Sequence, residues 1–167
     1  MARITIAIDE LRKLPQTDRM TVGEEHLDLM GHMNTMHYWE LFSRASRNVT
    51  SLTGVTAAYV EEHQRGAFML RNFTQFIAEA HTGDELTVYT RMVARGSKRF
   101  QCMHFMVNET RNTLAATMEV LSTHASLTER RSAVFPPHIG RKIDLMIATH
   151  NEIDWTDAPL SGILSPR

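Results

Sequence analysis

The chain has 167 residues, 18 Lys and Arg against 19 Asp and Glu, a formal net charge of −1 and a pI near 6.8. That length suits one hydrophobic core, and near-neutrality excludes a broad electrostatic pull toward nucleic acid or an anionic membrane. A single cysteine, Cys102, excludes an intramolecular disulfide and a cysteine-based zinc cluster.

In chain order, Ile4, Ile6 and Ile8 alternate with polar or small residues and predict a short strand before the Pro15 connection. Met1 to Ile8 is too short and too interrupted by Arg3 and Thr5 for a signal peptide, and no apolar run reaches the roughly 20 residues of a membrane span. A cytoplasmic location is expected. Met20 to Leu27 reads as a second extended segment, leading into the turn Asp28-Leu29-Met30-Gly31-His32. From Asn34 the period becomes helical: Tyr38, Phe42, Ala45, Val49 and Leu52 fall on one face, with Asn34 as N-cap and Gly54 at the end. A shorter helix is predicted over Ala57 to His63, broken by Arg65-Gly66.

Strands are predicted over Ala67 to Glu79, Glu85 to Arg95, Phe100 to Val107 and Thr113 to Leu127, separated by short polar turns that favour antiparallel pairing. Phe135-Pro136-Pro137 and an amphipathic helix over Ile139 to Thr149 complete the pattern. One long helix followed by antiparallel strands is an α+β arrangement, the sheet wrapped around the helix, in a single domain over residues 1–167 with a core of about 20–136.

Asp28 and His32 sit in a turn that runs directly into the start of the long helix. Amides of a first helical turn lack intrahelical acceptors and carry the positive end of the helix dipole. An amide near Thr35 or Met36 could therefore polarise a thioester carbonyl, with Asp28 attacking it or activating water as general base. Gly31 permits close backbone approach. His32 is read as orienting Asp28 or contacting substrate, Asn34 as a cap more than a catalyst, and Tyr38 as core that can also line an acyl pocket. A metal held by His26, Asp28, His32 and His37 is the less favoured reading, because no diagnostic helical histidine pair is present. Cys102, mid-strand among apolar residues, reads as a buried structural thiol.

The string D-x-x-G-H-x-N-x-x-x-Y from Asp28 to Tyr38 resembles the 4-hydroxybenzoyl-CoA thioesterase group of hotdog proteins. The Gly83-Asp84 turn and the strand pair turning at Gly96-Ser97 belong to the same likeness, which spans about Met20 to Pro136. The resemblance implies hydrolysis of an acyl-CoA to free acid and CoA, with Asp28 catalytic and the Thr35 amide polarising the carbonyl. His32 and Asn34 resemble residues of the acyl-carrier-protein thioesterase branch. Ser43 and Ser46 stand where relatives often carry Glu and Arg, and Met30 stands where that branch has Asn. For CoA, the turn of Ser97, Lys98 and Arg99 and the pair Arg130-Arg131 supply cations; in the family such segments often come from a neighbouring subunit. No metal or redox cofactor is expected, CoA being part of the substrate. A homodimer or a tetramer of dimers is expected, since a lone hotdog sheet leaves an exposed edge. Rival readings are a non-catalytic acyl-CoA-binding module on the same fold and a 3-hydroxyacyl-thioester dehydratase.

Overall fold

The computed structural model describes residues 6–153. Ile4 of the expected first strand lies outside the described residues, and Ile8–Leu11 (α1) is one helical turn instead of a strand. Ion pairs three residues apart, Arg12 to Asp9 at 2.7 Å and Lys13 to Glu10 at 2.5 Å, favour the turn over an extended chain. The expected extended stretch from Met20 is also displaced. Strand β1 is Gln16–Thr21, and Glu24–His26 is a 3₁₀ turn closed by the Gly23 amide donating to His26 Nδ1 at 2.7 Å.

The long helix, α2, is Thr35–Leu52, and α3 is Ala57–His63. At 1.5 Å per residue the 18 residues of α2 span about 27 Å, enough to cross a sheet. The break after α3 falls at Gln64, in the left-handed conformation at φ 50°, so Arg65 and Gly66 open β2 (Arg65–Phe76) instead of breaking the chain. Strands β3 (Glu85–Arg95), β4 (Arg99–Asn108) and β5 (Thr113–Ser126) follow. A short β6 (Arg131–Ser132) pairs with β5, and α4 is Pro137–His150.

All pairings are antiparallel, in the order β1-β3-β4-β5-β2. This is the hotdog fold: the curled sheet wraps α2, whose Tyr38, Leu41, Phe42, Ala45 and Val49 pack on Val88, Met92, Cys102, Met106, Met118 and Val120. Helix α4 adds Ile139 and Ile143 to the same core. On the outer face a second cluster joins Leu11 and Leu14 to Tyr89, Met103, Phe105 and Val107, with Ile6 and Ile8 packed on it, so the isoleucine alternation serves packing without strand pairing. Among the described residues strand β2 ends one side of the sheet with a free edge. No helix among the described residues is long and apolar enough to cross a membrane.

Candidate active site

The turn before α2 is shaped by its own backbone. The Asp28 amide donates to the His32 carbonyl at 3.0 Å, the Gly31 amide donates to the Asp28 carbonyl at 3.1 Å, and Leu27 bridges Met33. Gly31 takes φ +83°, a region that side-chain-bearing residues seldom adopt. The Met33 amide donates to the Ala80 carbonyl at 2.8 Å, docking the turn on the segment that follows β2, and the Asn34 amide donates to the His26 carbonyl at 2.9 Å, tying it to the preceding 3₁₀ turn.

Within that frame Asp28 Oδ1 accepts from the Met30 amide at 2.8 Å, and Oδ2 lies 3.4 Å from His32 Nδ1. The other ring nitrogen of His32 lies 4.0 Å from Glu79. Imidazole thus stands between two carboxylates, an arrangement that can hold or pass a proton. His26 Nδ1 accepts from the Gly23 amide, the His26 ring meets His37 edge-on at 4.7 Å, and His37 Nδ1 lies 3.5 Å from Glu40.

Asn34 caps α2, its side-chain oxygen accepting from the Met36 amide at 2.9 Å, while the His37 amide bonds the Asn34 carbonyl. Of the two amides named from the sequence, Met36 is therefore occupied, and Thr35 has no acceptor among the described residues. This leaves Thr35 as the amide able to receive a developing oxyanion. Replacing Asn34 with Ala is expected to cost about 1 kcal/mol of stability, read as a lowered urea midpoint; an unchanged midpoint would contradict the cap.

A cavity of about 210 Å³ adjoins the helix start, lined by His32, Met33, Thr35, Tyr38, Phe76 and Glu79, with Ile77 and Ala78. Asp28 is not in the lining and reaches it through His32. Tyr38 and Phe76 meet edge to face at 5.3 Å, and burial raises the Tyr38 phenol above its ordinary pKa. Leu29, Met30, Met36 and Trp39, from the turn and the start of α2, and Phe76 and Ile77 of the lining are exposed, an apolar rim of the kind that marks an interaction site.

The two basic segments converge at the opposite end of β2. Phe135 donates to the Ser97 carbonyl at 3.0 Å and His124 to the Lys98 carbonyl at 2.8 Å, bringing the Ser97-to-Arg99 turn beside the chain that carries Arg130 and Arg131. Arg130 and Arg131 line a cleft of about 420 Å³ with Phe68 and Leu70. Arg131 is also paired with Glu129 at 2.7 Å. Phe68 and Phe76 are eight residues apart on one strand, on the order of 26 Å, so a single chain keeps its cations away from Asp28.

Sequence reasoning missed a polar track under α2. Ser46 contacts His104 Nε2 at 2.8 Å, His104 Nδ1 contacts Thr90 at 2.7 Å, and Thr90 contacts Thr17 at 2.7 Å. Polar residues at helix-facing strand positions were the available signal. Cys102 lies 3.7 Å from the same Nε2, and burial pushes its thiol up to about 12, which fits the inert reading.

A curled antiparallel sheet wrapped around one central helix defines a protein of hotdog architecture. The family model of the thioesterase-like superfamily matches residues 22–143, and the chain belongs to that superfamily. It is 28% identical over 141 residues to an L-carnitine dehydrogenase/betainyl-CoA thioesterase of Agrobacterium fabrum, covering 84% of this chain and 28% of that protein. A betainyl-CoA thioesterase of Pseudomonas aeruginosa is 22% identical over 129 residues, with 77% of this chain and 81% of that protein covered. This chain thus spans little more than a quarter of the Agrobacterium protein and most of the Pseudomonas one. Among solved structures, a Staphylococcus aureus protein in complex with CoA superposes with a TM-score of 0.75 at 24% identity, covering 92% of this chain and 90% of that one. A 1,4-dihydroxy-2-naphthoyl-CoA thioesterase from Synechocystis gives 0.67 at 19% identity, covering 77% and 95%.

Proposed function

We propose that this protein hydrolyses an acyl-CoA thioester to the free acid and CoA, with Asp28 as nucleophile or general base. The observation that carries the reading is the pairing of an unoccupied Thr35 amide at the start of α2 with the Asp28–His32 contact beside the same cavity. The thioester carbonyl seats its oxygen at the Thr35 amide, where the helix dipole favours the charge that develops on attack. Asp28 either adds to the carbonyl carbon, giving a mixed anhydride that water then cleaves, or takes the proton of an attacking water. In both routes the C–S bond breaks and CoA leaves as a thiolate that is then protonated.

The protein acts as a homodimer, alone or within a tetramer, paired through the free edge of β2. Antiparallel pairing of two copies about the middle of β2 sets the Phe76 end of one strand beside the Arg65 end of the other. The partner's Ser97-to-Arg99 turn, Arg130 and Arg131 then face this chain's Asp28, which answers the separation of cations from carboxylate within one chain, and the exposed apolar rim is covered. No metal or redox cofactor takes part in this reading.

For the acyl group we propose a short, cationic one of the betainyl type. Relatives at 28, 23 and 22% identity are betainyl-CoA thioesterases, alone or fused to a dehydrogenase. The small cavity carries the Tyr38–Phe76 ring pair and the Glu79 carboxylate, groups that attract a quaternary ammonium. A panel of acyl-CoAs followed with a thiol-trapping dye tests this: betainyl-CoA is expected to be turned over fastest, with a dimer-sized or larger particle by light scattering. Binding of acyl-CoAs without thiol release would favour a non-catalytic module. Hydration of enoyl-CoAs would favour a dehydratase, and a monomer at micromolar concentration would remove the shared site.

A further inference from the structure

The segment between β2 and β3 is pinned where it passes the start of α2. The Ile77 and Ala78 amides both donate to the Ala115 carbonyl, at 2.8 and 3.0 Å, and the Ala80 carbonyl accepts from the Met33 amide at 2.8 Å. The His81 amide donates to the buried Asp84 carboxylate at 2.9 Å. Ala80 is fully buried in the core, and its neighbour Glu79 lines the cavity of about 210 Å³ together with His32.

Glu79 there faces two imidazoles. Its Oε1 lies 4.0 Å from His32 Nε2 and its Oε2 lies 3.7 Å from His81 Nε2. The other side of each ring meets another oxygen: His32 Nδ1 is 3.4 Å from Asp28 Oδ2, and His81 Nδ1 is 3.4 Å from the Gly31 carbonyl. Both nitrogens of both rings thus face acceptors, and a neutral imidazole brings one proton.

The acceptors decide where those protons sit. A carbonyl can only accept, so His81 donates to Gly31 through Nδ1–H and turns a bare Nε2 toward Glu79. Of the two carboxylates beside His32, Asp28 already accepts from the Met30 amide at 2.8 Å, while Glu79 accepts no hydrogen bond from a described residue. The single proton of neutral His32 therefore belongs on Nε2, toward the carboxylate that has no other donor. Nδ1 is then bare and confronts Asp28, two acceptors 3.4 Å apart. A proton entering between them turns a repulsive contact into a hydrogen bond, and the imidazolium so formed is held by a carboxylate on each side.

We propose that Glu79 is a positioning residue of the hydrolysis: it holds His32 as the Nε2–H tautomer, so that the bare Nδ1 receives the proton that Asp28 takes from water. This rests on the thioesterase reading in its general-base form. Water adds its oxygen to the carbonyl carbon as one of its protons goes to Asp28 Oδ2, and that proton moves on to His32 Nδ1. The C–S bond then breaks, and the leaving thiolate takes the proton from the imidazolium. The second water proton leaves with the product acid, which ionises in solvent. Closing the 4.0 Å gap needs a movement of about 1 Å by an exposed side chain, the tightening that catalytic contacts undergo when substrate enters. Glu79 keeps its negative charge throughout, so its attraction for a cationic acyl group is preserved.

Wild type and Glu79→Gln test this, the exposed side chain leaving the core undisturbed. Heteronuclear NMR of the histidine side chains is expected to find the neutral His32 proton on Nε2 in wild type, and on Nδ1 or shared between the nitrogens in the variant. A wild-type proton on Nδ1 overturns the proposal. The kcat of the variant is expected to fall roughly tenfold, on betainyl-CoA and on uncharged butyryl-CoA alike, as a hydrogen bond to a charged group is lost. A Glu79 that only attracts the cation would raise KM for betainyl-CoA and leave kcat unchanged on both, which also overturns it. In a His32→Gln background the Glu79→Gln change is expected to cost nothing further, because Glu79 acts through the ring; an equal loss in both backgrounds counts against it. The two readings fail separately: absence of thiol release from every acyl-CoA sinks the thioesterase, whereas full thiol release with His32 protonated on Nδ1 sinks this proposal alone.

Discussion

Asp28→Asn is expected to lower kcat for the preferred acyl-CoA by roughly 10² to 10⁴-fold, the range in which a positioned base or nucleophile contributes, while leaving the urea midpoint nearly unchanged. The amide oxygen of asparagine can still accept from the Met30 amide, so the turn keeps the bond that shapes it. What is lost is the negative charge facing His32 and the carbonyl. The side chain is about a quarter exposed, at 27%, so no buried charge is orphaned by the change. His32→Gln is expected to do less, because the imidazole touches both Asp28 and Glu79 and acts on the carbonyl through them. Single-turnover kinetics on folded variants would separate the two. Near-normal release of thiol by Asp28→Asn would sink the assignment, and would move the chemistry to the Glu79 side of His32.

Much of this site was legible because its signals are local. A change of period at Asn34, a cap residue, and a carboxylate six residues before it are all read from consecutive positions, and α2 begins where those signals place it. Phe42 and Val49 follow from helical spacing alone. What stayed hidden depends on partners distant in sequence. The isoleucines near the N-terminus alternate like a strand, yet they pack on the outer face of the sheet against Tyr89 and Phe105, a surface that no local pattern reveals. Arg65-Gly66 looked like a break, but its ladder partners are Ser126 and Ala125, some sixty residues on. Ser46 was noticed only as a departure from the family. Its role comes from His104, Thr90 and Thr17, which lie on three different strands. Capping by Asn34 was expected, but that it would remove Met36 from contention and leave Thr35 required the hydrogen bonds themselves.

Acid should unfold this protein early. His104 is fully buried and its pKa is lowered to about 3, and burial also lowers His124 and His150. His124 is held by Tyr59 at 2.9 Å and the Ala133 carbonyl at 3.1 Å, and His150 Nδ1 accepts from the Met92 amide at 2.9 Å, so each is built into the fold in its neutral form. The folded pKa lies below the unfolded one, so as pH falls through about 6.5 the unfolded chain takes up protons that the folded chain refuses. Stability therefore drops with falling pH, at up to about 1.4 kcal/mol per pH unit for each such histidine. For His104 alone the loss between pH 6.5 and 4.5 is about 2 to 3 kcal/mol, a large share of the 5 to 15 kcal/mol typical of a domain. The window matters, because most of it lies above the range where carboxylates titrate. Asp84 has its pKa lowered although burial opposes this, because the His81 amide, Asn108 and Arg111 favour its charged form, and it adds its loss only at lower pH. Urea unfolding at half-unit steps from pH 7.5 to 4.5 checks the sign and the window. A free energy that stays flat from pH 7 to 5 would mean that His104 is not held neutral in the fold.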